Sequence, residues 1–78
     1  MSTKDRALGL AEKLRQLSSE SRAKAEEERS AEIAAFHADD GTSAAHASAE
    51  MVARGKAIAY EDAELMVRLL ARWIPEGA

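Results

Sequence analysis

The stretch 44–73, AAHASAEMVARGKAIAYEDAELMVRLLARW, decides the fold. Ala44, Ser48, Met51, Val52, Gly55, Ile58, Ala59, Met66, Leu69, Leu70 and Trp73 fall within about 60° of one line at the helical advance of about 100° per residue. Two helices joined by a loop would hold that phase only by chance. The stripe therefore predicts one helix running through Gly55. A break near Gly55-Lys56, giving three helices, is the alternative.

Working outward, Pro75 and Gly77 stop this helix after Ile74, and Arg68 and Arg72 suit the negative end of its dipole. Upstream, Asp39-Asp40-Gly41-Thr42-Ser43 is the one turn signal. Gly41 can take the left-handed conformation that closes a helix, and Asp40, Thr42 or Ser43 can cap the next. Before the turn, Ser2 and Asp5 form a weak capping box. Ala7, Leu10, Leu14 and Leu17 follow the spacing of a heptad seam, continued by Ser21, Lys24, Glu28, Ala31 and Ala35. Residues 18–30 hold no large apolar side chain, but alanines and a favourable Glu20–Lys24 pair predict that the helix continues through them, with fraying or a break near Ser18-Ser19 as the alternative.

The fold expected is all-α: a long antiparallel αα-hairpin in one domain over 1–78, with helices over about 3–38 and about 43–74 and a turn at 39–42. Closing the hairpin at the turn sets Leu17 near Leu65, Leu14 near Met66 and Val67, Leu10 near Leu70, and Ala7 near Trp73 and Ile74. Trp73 then plugs the open end, and Asp62, the single charge on the stripe, pairs with Arg22 or with Ser18 and Ser19.

Composition limits what such a hairpin can do. The 46% hydrophobic content is inflated by alanine, so the core is small for 78 residues. No cysteine is present, which excludes disulfides and Cys-ligated metal. Self-association is the remaining source of stability, and a dimer forming a four-helix bundle is expected. A net charge of −3, well mixed, gives no support to nonspecific nucleic-acid binding. No apolar run reaches membrane-span length and no signal core follows the N-terminus, so a cytoplasmic location is expected.

Catalytic signatures are not found: no phosphate loop, no Gly-x-Ser-x-Gly elbow, no Cys nucleophile and no His-Glu-x-x-His. A non-enzyme without cofactor is therefore expected. His37, Asp39, Asp40 and His46 flank the turn and make a weak metal-site alternative to a plain structural turn. The stronger candidate site is the middle of the stripe, Met51, Val52, Gly55, Ile58 and Ala59, which lies opposite the polar residues 18–30. Either Lys and Arg stems cover it, or another chain does. The second reading makes the protein a small helical binding protein, adaptor or inhibitor, such as a plasmid or phage accessory protein. A dimeric nucleic-acid-associated regulator, antitoxin-like or repressor-like, with Arg54 and Lys56 aligned across a two-fold, is the alternative.

Overall fold

Ser2 starts the first helix. Its hydroxyl accepts the Asp5 N–H at 3.1 Å, and the Asp5 carboxylate accepts the Ser2 N–H at 3.4 Å, so both halves of the capping box close. From there α1 runs unbroken over Thr3–Ala38 in the computed structural model, which describes residues 1–77. The polar residues 18–30 are helical throughout, because alanine, glutamate, lysine and arginine hold a helix without needing an apolar face.

Asp39 closes α1, not Gly41. It adopts the left-handed conformation (φ 54°), and its N–H and that of Asp40 return to carbonyls of Phe36 and Ala35. Gly41 also has positive φ, at 81°, and completes the reversal. Asp40 Oδ1 accepts both the N–H and the hydroxyl of Thr42, at 2.9 and 2.7 Å, which fixes the turn from within. The second helix, α2, then covers Ser43–Ala71 without a break at Gly55. It ends three residues before the expected Ile74, where the N–H groups of Trp73 and Ile74 tighten onto the carbonyls of Leu70 and Ala71.

The two helices pack antiparallel as a hairpin 59 Å long and 16 by 11 Å across. Ion pairs join Lys4 to Glu76, Glu12 to Arg68, Glu26 to Arg54 and Arg29 to Glu50, each close to equidistant from the turn. The axial register expected from the sequence is therefore present. What differs is which faces meet.

The seam is made of small side chains. Ala11, Ser18 and Ala25 recur every seven residues on α1 and are buried, as is Ala35, and Ala53, Ala57 and Ala71 are buried on α2. Among the described residues no side chain larger than these is fully enclosed. The Ser18 hydroxyl is satisfied locally, donating to the Arg15 carbonyl at 2.8 Å. Ala7, Leu14, Ser21 and Glu28 line the edge of this seam, half-buried, as expected. Leu10 does not: it and Leu70 are 51% and 58% exposed, so the predicted Leu10–Leu70 contact is not a core contact. Trp73 is 85% exposed and plugs nothing.

Charged pairs also depart from expectation in detail. Lys24 turns to Glu28, at 3.0 Å, and Glu27, not to Glu20. Arg22 pairs with Glu61, with Nη2 and Oε2 2.7 Å apart, and leaves Asp62 exposed on the outer side. Arg54, Glu61 and Arg68 recur at seven-residue intervals and so form one charged line along α2. Each of the three reaches a partner on α1.

Candidate functional site

Once small residues form the seam, the apolar stripe must point elsewhere, because the two lie on opposite sides of α2. All eleven residues of the stripe are exposed: Ala44, Ser48, Met51, Val52, Gly55, Ile58, Ala59, Met66, Leu69, Leu70 and Trp73. Met51 is 75% exposed and Ile58 54%. Leu65, also exposed, extends the same surface. The expected site residues Met51, Val52, Gly55, Ile58 and Ala59 thus share one continuous outer face. Lys and Arg stems of α1 do not cover it.

The face is larger than the sequence reading assigned. Leu65, Met66, Leu70 and Trp73, expected against Leu17, Leu14, Leu10 and Ala7, instead continue the surface with Leu69 towards the C-terminal end. The signal that could have placed them was the spacing of Ala53, Ala57 and Ala71 with Glu50 and Glu64, which defines a second, polar-flanked line on α2. An exposed apolar surface of this extent is the ordinary mark of a contact with another molecule.

A Cβ on Gly55 would meet nothing within 4 Å beyond its own turn of helix. The glycine thus does not serve the close approach of α1 and α2, and its cost of about 1 kcal/mol in a helix interior has no reason inside the hairpin. Near the middle of the molecule an open groove of about 490 Å³ lies between the helices, reaching the outer face at Val52 and bordered by Glu20, Lys24 and Lys56.

The residues around the turn are not gathered into a metal centre. His46 Nδ1 donates to Glu28 Oε2 at 2.8 Å across the hairpin, His37 packs its ring edge-on against Phe36, and Asp40 is committed to Thr42. Asp39 is spent in closing α1. No cluster of three or more metal-binding side chains occurs among the described residues. Likewise no described helix is long and apolar enough to cross a membrane.

Electrostatics concentrate away from the apolar face. The Glu61 carboxyl is held below the usual carboxylate range by its bonds to Arg22, Glu28 by His46 and then Lys24, and Asp40 by Thr42. A carboxylate whose folded pKa is depressed contributes stability that is full above its unfolded value, near 4.3 for glutamate, and is lost as pH falls through the folded value. The melting temperature should therefore hold steady from about pH 7 to 5 and fall between about pH 4.5 and 3. Glu61→Gln should flatten part of that fall, and thermal denaturation followed by circular dichroism at each pH checks it. A melting temperature that rises on acidification would show that these pairs do not act across the seam.

No family model matches this chain, and comparison with curated proteins and with solved structures found no match.

Proposed function

We propose that this chain is a small, non-catalytic helical binding protein, an adaptor or inhibitor, which acts by packing the outer face of α2 against another protein chain. The observation that carries this is the inversion of the hairpin. The small side chains face inward, while Met51, Val52, Ile58, Leu65, Met66, Leu69, Leu70 and Trp73 face out. Leaving so much apolar surface in water is unfavourable by roughly 25 cal/mol per Å², and a covering partner removes that cost.

Arg54 gives the nucleic-acid reading no support. Its guanidinium is held by Glu50 at 2.8 Å and Glu26 at 3.1 Å, and so is not free to meet a phosphate.

Ile58→Asp places a charge in the middle of the face, and Gly55→Leu adds bulk where no side chain stands. Immobilised wild-type protein should retain partner chains that either variant loses, by about tenfold or more, since burying an unpaired charge costs several kcal/mol. Both variants should keep wild-type helicity by circular dichroism, because neither position touches the seam. Equal retention by wild type and both folded variants would end this reading.

A further inference from the structure

On the outer face, Ser48, Gly55, Asp62 and Leu69 recur every seven residues along the centre line. Met51, Ile58 and Leu65 flank them on one side, and Val52, Ala59, Met66 and Trp73 on the other. This is the spacing by which one helix packs lengthwise on another. We propose that a second copy of this chain covers the face, with its α2 antiparallel to the first and the two-fold axis passing between Ile58 and Ala59. The proposal rests on the docking reading above and names its partner.

The limits of the stripe set the register. It begins at Ala44 and ends at Trp73, so its midpoint falls between residues 58 and 59, and an antiparallel pairing about that point covers both ends at once. A two-fold interface must be complementary to itself, and this one sets large side chains on small ones at its ends and packs large ones side by side between. Trp73 falls against Ala44 and Ala45 of the other copy, Leu69 against Ser48, Met66 beside Val52 and Leu65 beside Met51.

Asp62, the one charge on the face, falls opposite Gly55 of the other copy, where no Cβ stands in the way. Next to that glycine is Lys56, which makes no ion pair among the described residues of its own chain and has the reach to meet the carboxylate. The register thus accounts together for a mid-helix glycine and for an aspartate on the apolar face. Pairings centred on Asp62, and parallel ones in register, set the two Asp62 carboxylates face to face, which is repulsive.

The area also fits. Eight large side chains, all 41% exposed or more, lie on or beside this face. A standard specific interface covers about 800 Å² on each side, and these eight side chains supply its apolar centre.

Because the sequence has no cysteine, single cysteines report the register without interference. Four full-length variants, Ile58→Cys, Ala59→Cys, Gly55→Cys and Asp62→Cys, are oxidised at micromolar concentration and the disulfide-linked dimer is followed on non-reducing gels. Sedimentation equilibrium of the wild type and circular dichroism of each variant accompany them. A dimeric wild type is expected, with linkage at 58 and 59 faster by about tenfold or more than at 55 and 62. Only the first two positions come near their own copy, whereas the others lie beyond the roughly 7 Å Cα separation that a disulfide spans. Fastest linkage at 55 or 62, or equal rates at all four, would overturn the register. A monomeric wild type with no linkage would overturn the second copy as partner. The docking reading fails separately, only if Ile58→Asp and Gly55→Leu also leave partner retention unchanged.

Discussion

Ala57→Leu is expected to lower the melting temperature by about 4–24 °C. Ala57 is wholly buried on the seam, in a row whose other buried members are Ala11, Ser18, Ala25, Ala35, Ala53 and Ala71. The other side chains of that row are alanines and one serine, too short to fold aside. The added branch must push α2 off α1, stretching the pairs that hold the hairpin edge, Arg22–Glu61 and Arg54–Glu26. Overpacking of this kind costs about 1–3 kcal/mol, and in a domain of this size each kcal/mol shifts the midpoint by about 4–8 °C. Ala23→Leu, on the exposed side of α1, is the control and should change little. Thermal melts of the two variants decide the matter. A rise in melting temperature for Ala57→Leu would mean that this line of α2 has room for bulk, and the inverted hairpin described above would be wrong.

Ser21→Pro should be still more damaging, by about 3 kcal/mol or more, because proline removes a backbone donor and its ring clashes with the preceding turn. Ser21 sits within the polar stretch of α1, half-buried beside the seam and midway between the buried Ser18 and Ala25. A break there would uncouple the leucine-rich start of α1 from the part that pairs with Glu50 and Arg54. Loss of cooperative melting at ordinary temperature is the expected readout by circular dichroism. If residues 18–30 were frayed in the folded protein, proline would be nearly silent, and α1 would be two helices instead of one.

Much of this fold is legible in the sequence, and the reason is local. Ser2 with Asp5, the turn at 39–42 and the phase of the stripe all act over four to seven residues. They place both helices to within three residues and set the axial register of the hairpin. The inward faces are not legible from size, because burial here goes to the small side chains. On α1 the leucines at 10, 14 and 17 suggested a seam, yet the buried row lies one position over, at Ala11 and Ser18. On α2 the largest side chains mark the outside. Alanine seams carry a weak hydropathy signal, and their evidence is geometric: a seven-residue recurrence of small side chains, flanked by arginines and glutamates that complement each other across the pair. The middle of the candidate site was found because it had no counterpart on α1. Its extension through Leu65 to Trp73 is hidden because leucines in the first arm stand at the right height, and only Leu14 and Leu17 turn partly inward.

The length of the hairpin has a consequence for how this molecule moves through solvent. A compact chain of 78 residues has a radius of gyration of about 11–12 Å, whereas this one has 17.6 Å. A rod nearly four times longer than it is wide drags more water and tumbles slowly end over end. On a sizing column a single hairpin will elute ahead of a globular protein of its 8.4 kDa mass, at a volume that imitates a dimer. Two hairpins laid side by side along α2 would add girth with little added length, so pairing would change elution far less than it changes mass. The ratio of sedimentation to diffusion, not the elution volume, distinguishes one rod from two.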